Sequence, residues 1–570
     1  MSEPDMTVVA SVRLRAKRYG ETSTKLNERS RGVSRTLVIV ALCIATTACE
    51  RAAAQSRAAN PSVSQQCDRS ALRAVALENT TVDSVEMIAA GSFSPPGSRA
   101  PLIGTPAFCR VHAHVVTSND SLVNFEVWVP DTWNRKIVVT GNGGYSNVPS
   151  FRDMANALLQ GYAAAGGDTG HQTPTPDDLQ WGAAHPERIV DWGTRSIHAI
   201  TVPARRIAAS IGQNVLQRSY YYGCSTGGHQ GYAEMQQYPL DFDGVIAGAP
   251  GNNRVRLNAA YLWQYLSNHS PDDGTEIVPA SKLPMITRAV VAACDKNDGV
   301  VDGVIDDPRS CRFDPASLLC RDKDGSDCLT SPQVAALNKM YAGARNPRTG
   351  EQVYPGWSQS SEALTAMSDG RPASGWSQYW GTRDPMRVNF WRLWVFNDPQ
   401  WNPRTFDFDR DLTRADDTIG KLVDQRSVDL AAFKHRGGVA IVYQGWQDPV
   451  VNALDTIAYY ERLRSQQGSQ QEADRFFRLF LVPGMGHCSG GTGTTNFGNQ
   501  GGAPPTVDAD HDLLSALDRW VEQRTPPDRI IASKIESGRV VRTRPLCAYP
   551  KRAVYQGKGS TDDAANFVCR

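Results

Sequence analysis

The chain has 570 residues, with 60 Lys and Arg against 59 Asp and Glu and a formal net charge of +1. So even a balance offers no field for nucleic acid or an anionic membrane surface, and neither is expected as a partner. The length exceeds what one small core fills, and 13 Trp, 48 Gly and 34 Pro suit a loop-rich enzyme with aromatic pockets.

Residues 1–54 read as a leader. Arg13, Arg15, Lys17, Arg18, Arg29, Arg31 and Arg35 precede an apolar run from Thr36 to Ala48, with small residues after it. The run is too short to span a bilayer, so it reads as a secretory signal peptide rather than a membrane helix. Cleavage after Ala48 or Ala54 fits the pattern. Ala48-Cys49 also has a faint lipoprotein character, with Thr46 where leucine is usual. The mature chain is expected to be secreted or periplasmic.

Behind the leader stand Cys67, Cys109, Cys224, Cys294, Cys311, Cys320, Cys328, Cys488, Cys547 and Cys569. An even set in an exported chain reads as disulfides. Cys294–Cys311, Cys320–Cys328 and Cys547–Cys569 are local pairs, and Cys67–Cys109 would pin the N-terminal segment. Cys224 and Cys488 remain, as a bond or as two buried thiols.

From about residue 65, apolar strand-like runs alternate with amphipathic helices. Phe125–Val129 alternates as a strand, and Lys136–Thr140 is a buried strand opening into Gly141-Asn142-Gly143-Gly144. Ile197–Ala209 has helical spacing, with Pro203 expected as a kink or a start. Ser219–Tyr222 and Gly244–Gly248 are further buried strands. Between Gly251 and about Gly437 the pattern changes to Asp-rich turns, many Trp and few clean strands. Val439–Tyr443 and Phe477–Val482 then resume the strands, and Leu513–Val521 is the last clear helix. Strands alternating with helices predict an α/β fold with a mostly parallel sheet. The expected division is 65–250 and 438–570 as two parts of one core, with 251–437 inserted as a lid domain.

Gly223-Cys224-Ser225-Thr226-Gly227 lies between a strand and a helix, the context of a nucleophile elbow. A serine hydroxyl needs a base, and the base needs an orienting carboxylate. Asp448 and His487 follow in the α/β-hydrolase order, each on a loop just past a buried strand. The backbone of Thr226 and of Gly144 would supply the two oxyanion donors. A separate stretch, Cys294 to Asp307, sets carboxylates at short spacings among glycines. Asp295, Asp298 and Asp302, with the carbonyls of Val300 and Val304, are the expected ligands of a structural calcium ion. The stretch is not an EF-hand, and no histidine pair stands at zinc spacing.

With these residues in place, the chain resembles the tannase and feruloyl esterase family, which includes the bacterial hydrolases of mono(2-hydroxyethyl) terephthalate. The resemblance rests on Gly223–Gly228, Asp241–Pro250, the Asp-rich loop from Cys294, Val395–Trp401 and Pro483–Cys488, and spans about 65–570. It implies an α/β-hydrolase core with a lid, a triad of Ser225, Asp448 and His487, and calcium at Asp295, Asp298 and Asp302. It also implies a Cys224–Cys488 bridge behind the triad. Two positions depart from the family and bear on substrate binding. Gln444 stands where histidine is frequent, and Val451 where the terephthalate-ester hydrolases carry an aromatic. Arg383, Arg387 and Arg392 are candidates for the arginine with which those enzymes grip a free carboxylate. Trp376, Trp380, Phe390, Trp391 and Trp394 are available to flank a flat ring. The expected substrate is a small aryl ester of hydroxycinnamoyl or galloyl type. A terephthalate monoester is the alternative within the class, and a non-catalytic calcium-dependent binding module the alternative outside it.

Overall fold

Nine strands make one twisted sheet: β1 (Thr80–Ile88), β2 (Phe108–Val116), β3 (Leu122–Pro130), β4 (Lys136–Thr140), β5 (Ala163–Gly167), β6 (Arg218–Cys224), β7 (Gly244–Gly248), β8 (Val439–Gly445) and β9 (Phe477–Val482). Their order across the sheet is β1-β2-β3-β5-β4-β6-β7-β8-β9. The first three strands and the β3/β5 seam are antiparallel, and every pairing from β5 to β9 is parallel. This computed structural model describes residues 62–98, 100–363 and 375–570. The leader and its cleavage sites lie outside the described residues.

The parallel strands are buried on both faces, which is why they read as unbroken apolar or small-residue runs. β4, β7 and β9 run as the sequence predicts, while β3, β6 and β8 extend past the predicted runs by one to three residues at an end. On one face pack α1 (Phe151–Leu159) and, later in the chain, the amphipathic helix Leu513–Gln523, whose Leu513, Leu514, Leu517, Trp520 and Val521 are buried at helical spacing. On the other face pack α2 (Ser196–Ile211) and α3 (Thr226–Gln237). Pro203 sits inside α2 rather than at its start. The ring removes one backbone hydrogen bond, but Ile197, Ile200, Ala204 and Ile207 bury one face of α2 and carry the helix through. A layered sheet of this kind, mostly parallel with helices on both faces, is an α/β-hydrolase fold.

The chain leaves the sheet after β7 and returns at β8. None of the described residues in between joins the large sheet. They form α4 (Arg254–Asn268), α5 (Leu283–Cys294), α6 (Ser331–Ala342) and several single turns. This insertion has its own apolar cluster, which includes Trp357, Trp376, Trp380, Phe390, Trp391 and Trp394. The cluster continues into Tyr145, Trp181 and Trp192 before the insertion and Val450 and Val451 after it.

Among the described residues, five disulfides join Cys67–Cys109, Cys224–Cys488, Cys294–Cys311, Cys320–Cys328 and Cys547–Cys569. The four pairs expected from spacing are formed, and the two remaining cysteines are bonded rather than free. Among the described residues no helix is long and apolar enough to cross a membrane.

Candidate active site

Because β4, β6, β7, β8 and β9 are parallel neighbours, their C-terminal ends line one edge of the sheet, where ligand sites of such sheets lie. Four loops leave that edge carrying Gly144, Ser225, Asp448 and His487. Ser225 sits between β6 and α3 at φ 65°, a left-handed conformation that a non-glycine residue holds only when its surroundings impose it. Its N–H donates to the Gly248 carbonyl at 2.9 Å, and its carbonyl accepts from His229 N at 3.0 Å. The turn is tight enough that a Cβ at Gly228 would overlap the Gly248 carbonyl.

The Ser225 hydroxyl meets His487 Nε2 at 2.8 Å, and His487 Nδ1 donates to Asp448 Oδ2 at 2.8 Å. An acceptor-only carboxylate on Nδ1 leaves Nε2 free to take the serine proton. Asp448 is buried and fully engaged. Its Oδ1 accepts from Val450 N at 2.8 Å and Val451 N at 3.0 Å, and its Oδ2 also accepts from Gln444 Nε2 at 3.0 Å. Gln444 Nε2 also donates to the Val451 carbonyl at 3.1 Å, while its Oε1 accepts from Thr456 Oγ1 at 3.0 Å. Both residues singled out for the substrate pocket are thus in contact with the aspartate, and both are buried. The Cys224–Cys488 bond ties the residue before Ser225 to the residue after His487.

Gly144 has φ 57°, which favours glycine, and its carbonyl accepts from Trp192 Nε1 at 3.0 Å. The same loop is held by Asn142, whose N–H donates to Gln230 Oε1 at 3.1 Å and whose side chain donates to the Gly167 carbonyl at 2.8 Å. Thr226 is the first residue of α3, so its N–H has no acceptor within the helix. Its hydroxyl accepts from Arg254 Nη2 at 3.2 Å.

The five aromatic residues expected to flank a ring, Trp376, Trp380, Phe390, Trp391 and Trp394, are all buried. Trp394 lies edge-on to Tyr145 at 5.7 Å and to Trp192 at 5.6 Å. Of the three arginines, Arg392 pairs with Asp384 at 2.9 Å, and the Arg383 carbonyl accepts from Tyr265. Arg387 is half-buried over Tyr145 at 5.1 Å and Tyr261 at 5.5 Å. The Tyr261 hydroxyl donates to the Val450 carbonyl beside Asp448. Among the described residues no carboxylate lies within ion-pair distance of Arg387, and its buried Nε has no hydrogen-bond partner.

In the Asp-rich loop, Asp295 accepts from the N–H groups of Asp302, Gly303 and Val304 at 3.1–3.3 Å. Asp298 accepts from Val300 N at 2.8 Å and Asp306 N at 3.3 Å. Asp302 Oδ2 meets Arg542 at 3.1 Å and Arg544 at 2.6 Å. Burial, and then the Asp298 charge, push the Asp306 carboxyl up to about 7. Burial raises Asp298 too, with Asp302 and Asp295 adding to it. Among the described residues, no three of these carboxylates bring oxygens within 4.8 Å of one another. Cys320 and Cys328 do lie that close to Asp324, but they are bonded to each other and offer no thiolate to a metal.

Trp192, Gln230, Arg254 and the contact between Gln444 and Asp448 were not anticipated from the sequence. The signal for Gln230 lay close by, five residues after Ser225. Trp192 lies in an irregular wide turn, Asp191–Arg195, which no periodicity marks.

Across residues 109–570 the sequence matches the family model for tannase and feruloyl esterase. It is 36% identical over 523 residues to an uncharacterized esterase of Xanthomonas campestris pv. campestris, covering 87% of this chain and 90% of that protein. It is 31% identical over 520 residues to feruloyl esterase C of Talaromyces stipitatus, covering 89% and 94%. The fold matches feruloyl esterase B from Aspergillus oryzae with a TM-score of 0.81 at 28% identity, over 89% of this chain and 100% of that one.

Proposed function

This chain belongs to the tannase and feruloyl esterase family and is a carboxylic ester hydrolase, and we propose that it works through Ser225, His487 and Asp448 on small aryl esters. The observation that carries this reading is the unbroken pair of 2.8 Å contacts from Ser225 to His487 to Asp448. Ser225 Oγ attacks the ester carbonyl as its proton passes to His487 Nε2. Asp448 holds the ring and stabilises its positive form. The oxyanion is received by the amides of Thr226 and Gly144. His487 then gives the proton to the leaving alcohol, and water repeats the sequence on the acyl-enzyme.

The aromatic wall of Tyr145, Trp192 and Trp394 beside the oxyanion loop favours a flat acyl group of hydroxycinnamoyl or galloyl type. The names of the relatives point the same way. Five disulfides and the leader favour a protein exported to the periplasm or beyond. The Asp-rich loop offers an all-oxygen donor set of the kind a structural calcium ion takes, and binding there would compete with the Arg542 and Arg544 contacts of Asp302. Asp295, Asp298 and Asp302 would hold it, with the carbonyls of Val300 and Val304.

A second reading, a monoester with a free carboxylate such as mono(2-hydroxyethyl) terephthalate, draws on Arg387 and its lack of a carboxylate partner. Hydrolysis of methyl ferulate, methyl gallate and that monoester by the mature protein separates the readings. Ser225→Ala is expected to lower kcat by about 10⁴-fold or more on the preferred ester while the protein stays folded. Turnover retained in that variant would overturn the triad. A preference for the monoester that Arg387→Gln removes would establish the second reading.

A further inference from the structure

The two amides assigned to the oxyanion stand on different loops, Gly144 after β4 and Thr226 after β6. Donors on separate loops act together only if their spacing is fixed to a fraction of an ångström. One buried cation touches both supports. Arg254, in the first turn of α4, is 2% exposed. Among the described residues no carboxylate lies within ion-pair distance of it, and its Nε has no hydrogen-bond partner. Its Nη2 donates to the Thr226 hydroxyl at 3.2 Å. Its guanidinium lies over the ring of Trp192, 5.1 Å from the centroid. Trp192 is fully buried, stacks on Tyr145 at 4.6 Å and donates through Nε1 to the Gly144 carbonyl at 3.0 Å. A second brace runs from the nucleophile helix, where Gln230 Nε2 donates to the Trp192 carbonyl at 3.1 Å and its Oε1 accepts from Asn142 N at 3.1 Å.

A buried guanidinium without a counter-ion is unfavourable on its own. Its other neighbours do not neutralise it. His229 Nδ1 faces the Gly251 carbonyl, and its ring is held neutral by burial and by Arg254 itself. Asp424 is engaged elsewhere, its Oδ1 accepting from Val255 N at 3.1 Å and its Oδ2 paired with Arg426 at 3.2 Å. An uncompensated positive charge beside Thr226 is of use where negative charge appears only during reaction.

We propose that Arg254 is a positioning residue of ester hydrolysis: with Trp192 it locks the Gly144 and Thr226 loops together, and its unneutralised charge favours the tetrahedral oxyanion over the neutral ester. This rests on the triad reading, so Ser225→Ala is run beside the test variants. These are Arg254→Met, Arg254→Lys and Trp192→Phe, the last keeping an aromatic ring while removing the indole N–H. Measured on the preferred aryl ester are kcat, KM and the equilibrium affinity of an arylboronic acid. That inhibitor takes Ser225 Oγ onto boron and mimics the charged tetrahedral state. Arg254→Met is expected to lower kcat about 100-fold with KM nearly unchanged, and to weaken the boronate by a similar factor. Arg254→Lys should restore part of both, and Trp192→Phe should lose about tenfold in both. A purely structural loss would lower active fraction or raise KM without following boronate affinity.

Wild-type kcat and boronate affinity in Arg254→Met overturn the inference, and so does a loss confined to KM. If Arg254→Met does not fold, Arg254→Lys and Trp192→Phe decide, and wild-type behaviour in both overturns it. Activity lost in Ser225→Ala but intact in the Arg254 variants removes this inference alone. Activity retained in Ser225→Ala removes the triad and this inference with it.

Discussion

Replacing Cys224 and Cys488 together by alanine removes the one covalent link between the end of β6 and the loop after β9. The bond spans 264 residues of sequence, and both cysteines are buried. In the chain-entropy account, closing so long a loop removes about 5.6 kcal/mol of disorder from the unfolded state. The Cys320–Cys328 bond spans 8 residues, and the same relation assigns it about 2.5 kcal/mol. Engineered losses fall below these ceilings, but their order should hold, with the long bridge worth about 3 kcal/mol more. Guanidinium unfolding of the two double variants measures this directly, as a larger fall in midpoint stability for Cys224→Ala/Cys488→Ala. The same variant tests geometry. His487 directly precedes Cys488 and Ser225 directly follows Cys224, so freeing the pair loosens a 2.8 Å contact. A shift of about 1 Å there lowers kcat by about 100-fold. The Cys320–Cys328 variant, in the insertion, should keep its kcat. Equal stability losses in the two variants, or a wild-type kcat without the Cys224–Cys488 bond, would refute the reasoning.

Gln444→Leu removes the amide that donates to Asp448 Oδ2, and kcat is expected to fall about tenfold with KM unchanged; a change in KM alone would return Gln444 to the substrate pocket. Glu234, buried in the helix that follows Ser225, has its carboxyl pushed well above the usual range by burial and then by Asp241. A raised folded-state value means that stability falls as pH climbs above the unfolded value of about 4.3. Glu234→Gln lacks that slope, so its stability advantage in urea should grow from pH 5 to pH 8, and a constant difference would contradict the assignment. If calcium occupies the Asp-rich loop, added calcium should raise the melting temperature over a chelated control, and Asp298→Ala should abolish that rise while Asp384→Ala, which loses only the partner of Arg392, does not.

How far the sequence carried depended on whether a feature was local. β4, β7 and β9 matched their predicted runs because a strand buried on both faces is a plain apolar segment between polar turns. The local disulfides were legible for the same reason, since a separation of 8 or 17 residues leaves few partners. Ser225, Asp448 and His487 could be placed because each follows such a strand. Of the two readings of Pro203, a kink or a helix start, the start fell away because tertiary burial carries α2 through the proline. Arg254 and Trp192 were not legible at all. Their contacts join loops 28 and 48 residues apart, and nothing in either segment marks the approach. Gln444 offered a position but not a role, since its bond to Asp448 depends on how the loop after β8 turns back.

The insertion departs after β7 and returns into β8, and these two strands are direct neighbours, with Gly244 opposite Val439. Its two ends are therefore anchored side by side on the sheet, at the edge whose loops carry Ser225, Asp448 and His487. Lengthening or shortening such an excursion changes its closure entropy only slowly. If the inserted segment selects the substrate, exchanging it should change selectivity while the sheet and its loops stay as they are. Chimaeras that trade residues 251–437 between relatives, cut at that pair of strands, are the natural way to move substrate preference without rebuilding the reaction.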